Sequence, residues 1–179
     1  MFKESFNNLK STRMLVLLAL FIALKIVVGY FRIPVADNLN IYFTFIISAI
    51  ECTIFGYVPS MIAGVITDIL GYIINPNPPF FPGYALSNLV AAFIYSLWFY
   101  KRKIKLLNII GAKTMINYIV NVGMGSLWSA MLYSKGFIYY ASTSLIKNTI
   151  LLPIEIIILF FVFKAIVPIL QNRNLISRQ

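Results

Sequence analysis

Long apolar runs follow one another along this chain with only short polar connections between them, and no other feature limits its fold so strongly. A helix needs roughly 20 predominantly apolar residues to cross about 30 Å of hydrocarbon. Six stretches qualify, at approximately 14–31, 41–55, 59–74, 84–100, 114–133 and 144–170. The second and third fall slightly short of the usual length and are parted only by a tight turn at Gly56 and Pro59, as suits helices shielded partly by protein. Pro153 is expected to kink the last one. Of the 179 residues 60% are hydrophobic and only 11% charged, with mean hydropathy +0.87. A soluble domain carries about 25% charged residues, so this chain has too few charges to cover a water-facing surface. The expected fold is an all-α integral membrane bundle of six transmembrane helices, one membrane domain over residues 1–179.

Basic residues orient the bundle, because Lys and Arg collect in cytoplasmic connections. With an inside N-terminus, eleven of the fifteen basic residues fall inside: Lys3, Lys10, Arg13, Lys101, Arg102, Lys103, Lys105, Lys113, Lys164, Arg173 and Arg178. Lys25, Arg32, Lys135 and Lys147 fall outside. Both termini are therefore expected in the cytoplasm. No small-residue cleavage site follows the first apolar run, so no removable signal peptide is expected. The longest polar connection is 101–113. Outer connections are 32–40, 75–83 and 134–143, the middle one (NPNPPFFPG) reading as a semi-rigid proline-rich cap. No internal repeat is visible.

Several chemistries are excluded. The chain has no His and a single Cys52, so imidazole catalysis, thiolate clusters and internal disulfides are absent. The five acidic residues, Glu4, Asp37, Glu51, Asp68 and Glu155, are poor material for a carboxylate metal cage. No phosphate-binding GxxxxGK[ST] loop occurs, so any ATP-driven step must come from a partner. No cofactor or metal is expected. The +10 net charge lies between apolar segments and serves topology rather than nucleic acid.

Polar side chains inside the spans need partners or a function. Asp68 lies six residues before the outer end of the third span, about 9 Å down. Asn117, Asn121 and Trp128 are spaced to share one face of the fifth helix. Lys147, with Asn148 beside it, opens the sixth span from outside, and Tyr42, Phe43, Phe80, Phe81 and Tyr84 add aromatic rings at the outer caps. These residues compose an outward-facing pocket for a flat, polar-edged ligand. Its aromatic faces sandwich a ring, Asp68 or Asn121 reads the ring's hydrogen-bonding edge, and Lys147 meets an anionic tail. Competing roles are interfacial anchoring for Tyr42, Tyr84 and Lys147, interhelical hydrogen bonding for Asn117, Asn121 and Asp68, and a Lys25 pair with Glu51 or Glu155. Ala19 with Ala23, and Gly125 with Ser129, form small-xxx-small pairs suited to close helix contact. A small membrane enzyme using Asp68, Glu51 or Glu155 lacks a clustered nucleophile or metal set. A passive channel is a further class.

Three ordered motifs carry a resemblance. ITDILGYIINPNPPFFPGYALSNLVAAFIYSLWFYKRK (66–103), NYIVNVGMGSLWSAMLYSKGF (117–137) and LIKNTILLPIEI (145–156) resemble, in order, the Asp-x-x-Gly helix, proline-rich loop and FPG, the Asn-rich helix with a Leu-Trp pair, and the Ile-Lys-Asn…Leu-Pro helix of folate-type substrate-binding S components of energy-coupling factor (ECF) vitamin transporters. The resemblance covers about residues 9–164. It implies a high-affinity vitamin-binding subunit, most simply for folate, with Phe43, Asp68, Phe81, Tyr84, Asn121, Trp128 and Lys147 in the binding site. It also implies that a transmembrane coupling protein and two cytoplasmic ATPases drive uptake, and that the subunit reorients in the bilayer to deliver its cargo. The ALFIA of residues 19–23 resembles the AxxxA by which S components meet the coupling protein, which assigns Ala19 and Ala23 to that contact. The chain departs from the pattern where the family commonly has Arg, at Asn40 and Ser144, and also at Gly125 and Glu51. Losing two cations weakens capture of folate's glutamate carboxylates, which leaves another vitamin or precursor as the alternative substrate.

Overall fold

The computed structural model describes residues 2–36, 39–75, 81–133 and 135–176. Helix α1 (Phe2–Asn7) and a 3₁₀ turn (Asn8–Lys10) lead into α2 (Thr12–Tyr30). Strands β1 (Arg32–Ala36) and β2 (Leu39–Tyr42) precede α3 (Thr44–Phe55), α4 (Tyr57–Ile74) and α5 (Pro82–Phe99). Then come α6 (Leu106–Met115), a π-helical segment (Ile116–Met124), α7 (Gly125–Leu132) and α8 (Phe137–Asn172). Met115 and Gly125 at the two junctions keep helical backbone angles, so α6, the π segment and α7 form one continuous rod. Helices α2, α4 and α8 are long and apolar enough to cross a membrane. The proline-rich cap and its Phe80 fall on 76–80, outside the described residues.

Burial explains why α3 is short. From Ala49 to Phe55 every side chain is buried, so this helix runs through the middle of the bundle and needs no lipid-facing length. Small residues let its neighbours close in: Ala49, Cys52, Ala63 and Ala92 all sit in the core. At Gly64 a β-carbon would come within 3.3 Å of the Asn88 carbonyl oxygen, so α4 and α5 meet nearly backbone to backbone.

Two expectations are corrected. The all-α reading and the start of the second span at residue 41 give way to an antiparallel hairpin pairing Arg32 with Tyr42, Ile33 with Ile41 and Pro34 with Asn40. Chain leaving α2 must satisfy its own peptide groups near hydrocarbon, and pairing with itself does so. The polar connection expected to run to Lys113 ends at Lys105, where the Asn108 side-chain amide donates to the Lys103 carbonyl at 2.7 Å and helix resumes. Lys113 therefore lies two turns inside a helix and is 1% exposed, not in a cytoplasmic connection.

The polar N-terminus is stitched to the bundle. Phe55 O, at the end of α3, accepts from Ser5 Oγ at 2.9 Å and Asn8 Nδ2 at 3.0 Å, and Ser5 Oγ in turn accepts from the Val58 N–H. Lys101 bonds Glu4 at 3.1 Å, and that hydrogen bond holds the Glu4 carboxyl below its ordinary range. Gly56 makes the one-residue break between α3 and α4 with φ +75°, under the Tyr100 ring, which a β-carbon would meet at 2.7 Å. Gly56→Ala should cost about 1–3 kcal/mol through backbone strain plus the clash, lowering the melting temperature in detergent by several degrees. Gly71→Ala, with open space around it, should leave that temperature unchanged or raised; equal melting of the two variants contradicts the role given to Gly56.

Candidate functional site

Three of the expected aromatic residues meet where α5 begins and α7 ends. The Phe81 ring lies 5.5 Å from Trp128 and 6.1 Å from Tyr84. Trp128 is oriented by its indole N–H, which donates to Ser87 Oγ at 2.9 Å. Gly83 makes this packing possible, since a β-carbon there would fall within 2.6 Å of the Trp128 ring and closer still to Phe81. One turn further along α5, the Asn88 side-chain amide donates to Asp68 Oδ1 at 3.2 Å. Asp68, half-buried, thus sits on the α4 side of this cluster with one carboxylate oxygen already engaged. The Phe81 and Trp128 rings pack against each other at a tilt of 54°.

A second group lies where the π segment faces α8. Asn121 Nδ2 donates to Asn117 Oδ1 at 3.3 Å and to Asn148 Oδ1 at 3.1 Å. The Asn148 amide donates to Ser144 O and Oγ at 2.8 and 3.1 Å, and the Ser144 hydroxyl donates to the Asn121 carbonyl. At the deep end Asn117 Nδ2 donates to Glu155 Oε2 at 2.8 Å, and Lys113 Nζ lies 2.9 Å from the same oxygen. Lys113 also stands 4.4 Å over the centre of the Phe45 ring. The result is a polar ladder running from a buried ion pair up to Asn121, which is exposed.

Lys147, half-buried, donates to the Asn40 backbone carbonyl at 3.2 Å, tying α8 to the β hairpin. The two positions where the folate-type pattern commonly has Arg therefore both touch the candidate site: Asn40 through Lys147, and Ser144 through the ladder.

The structure sorts the expected residues into neighbourhoods. Phe81, Tyr84 and Trp128 come together with Asp68 beside them, Asn121 belongs to the ladder, and Lys147 belongs to the hairpin junction. Phe43 caps α3, half-buried, its carbonyl accepting from the Ile46 N–H. The single face expected for Asn117, Asn121 and Trp128 divides: the asparagines turn to α8 and Trp128 to α5. The wider i→i+5 turns of the π segment shift the register between them. Sequence reasoning missed Ser87, Asn88 and the Lys113–Glu155 pair. Ser87 and Asn88 follow the FPG motif on the α5 face carrying Tyr84, and that spacing was the available signal. Lys25 does pair with Glu51, at 2.9 Å between α2 and α3. Ala19 and Ala23 are exposed on α2. Among the described residues no group of three or more His, Cys, Asp or Glu could hold a metal. Two cavities, of about 260 and 310 Å³, lie at the opposite end of the bundle, around the two ends of the chain. Side-chain chemistry, not volume, marks the candidate site.

A membrane-suited helical bundle with an aromatic and carboxamide-lined end is the architecture of a substrate-capturing transport subunit, and the relatives agree. Residues 13–167 match the family described as ECF transporter, substrate-specific component, and the chain belongs to that family. It is similar to the folate transporter FolT of Clostridium novyi (31% identity, covering 88% of this chain and 92% of the relative). It is also similar to FolT of Leuconostoc mesenteroides (33% identity, 84% of each). The fold superposes on a crystal structure of FolT bound with folic acid with TM-score 0.79 and 27% identity, covering 84% of this chain and 92% of that one.

The buried pair beneath the ladder should show the asymmetry of buried charges. Glu155→Leu strands the Lys113 ammonium and removes an acceptor from Asn117, which should cost about 3–5 kcal/mol. Adding Lys113→Met should restore most of that loss. Thermal unfolding in detergent checks both variants, and a harmless single substitution would show that the pair is not ionised in place.

Proposed function

We propose that this chain is the folate-binding component of an ATP-driven vitamin importer. Its helices cross the membrane six times as one domain, with both termini in the cytoplasm. The observation that carries the substrate is the likeness to FolT, both in sequence and to the fold that holds folic acid. Local chemistry supports it. Phe81 and Trp128 offer two ring faces to a pterin. Asp68 and Asn88 together present acceptors and donors at one edge, as the fused ring's amide and amino groups require. Tyr84 and Asn121 line the flanks, with Phe43 at the rim.

Lys147 takes the anionic tail. Its present partner is a neutral carbonyl, and a carboxylate is the stronger acceptor for an ammonium. Arrival of the tail draws Lys147 off the Asn40 carbonyl. With a single cation where the family commonly has more, a ring compound lacking the two carboxylates is the second reading.

Energy for uptake comes from two cytoplasmic ATPases acting through a membrane coupling protein. The exposed Ala19 and Ala23 lie on α2 among exposed Val16, Leu20 and Val27, a face suited to close helix contact. Ala19→Leu with Ala23→Leu should spare folate binding and abolish co-purification with the coupling protein.

Calorimetric titration of the detergent-purified protein tests the substrate. Folic acid should bind tightly, and Trp128→Ala should weaken it by roughly tenfold or more through lost stacking. Lys147→Met should weaken folic acid about tenfold while leaving a carboxylate-free pterin unaffected. No binding by a folded wild-type sample moves the substrate to another ring compound.

A further inference from the structure

The other end of the molecule carries a second recognition feature, unrelated to the aromatic cluster. Helix α8 ends in a complete Schellman motif. Asn174 takes φ +55°, its N–H bonds the Gln171 carbonyl, and the Leu175 N–H reaches back to the Leu170 carbonyl at 3.0 Å. This is the paired hydrogen-bond pattern that turns a chain sharply back on its helix, and it brings Leu175 against the bundle core. Arg173, at the corner of that turn, is thereby held at a fixed place beside the start of α2. There Arg13, Val16, Leu17 and Leu20 join Arg173 and Leu175 around a groove of about 310 Å³ whose walls are almost wholly apolar.

The two guanidinium-bearing side chains are exposed, and neither has a carboxylate partner among the described residues. The acidic residues described are engaged elsewhere: Glu4 with Lys101, Glu51 with Lys25, Glu155 with Lys113, and Asp68 with Asn88. Two cations therefore stand at an apolar groove between the first residues of one membrane-length helix and the last residues of another. Of the molecules that meet such a place, an anionic phospholipid matches both halves. Its phosphate oxygens suit two planar guanidinium groups, and its acyl chains suit the Val16, Leu17 and Leu20 wall. A free phosphate would leave that wall wet. A second copy of this chain would bring the same two cations against each other.

We propose that the groove between Arg13 and Arg173 is a binding site for one anionic phospholipid at the membrane surface. The site rests on α2 and α8 crossing the bilayer and does not depend on what the aromatic cluster binds. A lipid held across the two helix ends clamps the start of α2 to the end of α8. It also occupies the face of α2 from which Val16 and Leu20 project, next to Ala19.

Native mass spectrometry of the purified protein, titrated with phosphatidylglycerol or phosphatidylcholine of identical acyl chains, tests the proposal. The wild type should retain one phosphatidylglycerol at concentrations that leave phosphatidylcholine unbound. Arg13→Gln with Arg173→Gln should lower that retention roughly thirtyfold, as expected for losing two interfacial cations. Arg13→Lys with Arg173→Lys should keep most of it, and Arg102→Gln with Lys103→Gln should leave it intact. The melting temperature of the same samples in detergent should stay at the wild-type value, which shows each variant folded whether or not folic acid binds. Equal retention of the two lipids, an unchanged glutamine double variant, or displacement of the lipid by millimolar inorganic phosphate overturns the proposal. So does a glutamine double variant that loses only the coupling protein, since the groove would then belong to that partner.

Discussion

Hydrocarbon supplies no hydrogen bonds, and the charged groups buried in the middle of this bundle are arranged around that fact. Two ion pairs show the constraint at its strongest. Lys25 and Glu51 join α2 to α3, and Lys113 and Glu155 join α6 to α8. An isolated charge at these depths is costly, so each partner is kept only because the other stands about 3 Å away. The pairs thereby dictate which helices are neighbours. Apolar contacts between helices discriminate poorly in lipid, because lipid tails are as apolar as leucine, whereas a lysine buried opposite the wrong helix has no acceptable alternative.

The candidate site grows out of the second pair. Glu155 accepts from both Lys113 and Asn117, and the asparagine ladder carries that order upward to Asn121. The ladder is built on a π-helical segment, where the hydrogen-bond spacing widens. That widening lets Asn117 and Asn121 face α8 while Trp128, further along the same rod, faces α5. A regular α-helix would point these residues one way. The irregular turn lets a single helix serve both the polar and the aromatic parts of the site, a use typical of π segments.

Legibility differed between residue types. Apolar runs announced the helices, because a run long enough to bury in hydrocarbon has few other fates, and the observed α2, α4 and α5 match the expected stretches within a few residues. Phe81 and Tyr84, expected together at the outer cap beside FPG, do pack against each other, whereas Trp128, expected on the face of Asn117 and Asn121, turned to α5 instead. The hairpin after α2 was invisible, because its strands are only five and four residues long and the first carries Pro34, which reads against a strand. Lys113 was misleading for a different reason: a lysine eight residues beyond a basic cluster reads as part of it until the register of the helix is known. Its partner Glu155 lies 42 positions away, and no local pattern links the two.

Membrane residence, helical content, the transport family and the lack of any His or GxxxxGK[ST] loop were all determined by the amino-acid sequence, since they follow from hydropathy, residue counts and ordered motifs. Tertiary structure alone decided which charges are paired, which asparagines read each other, that Lys147 rests on the Asn40 carbonyl, and that Arg13 and Arg173 share one groove. The physical reason is distance along the chain. Hydropathy and helix periodicity act over one or two turns, whereas Lys113–Glu155, Asn121–Asn148 and Lys147–Asn40 join residues many turns apart, and only the packed helices bring such residues within the 3 Å reach of a hydrogen bond.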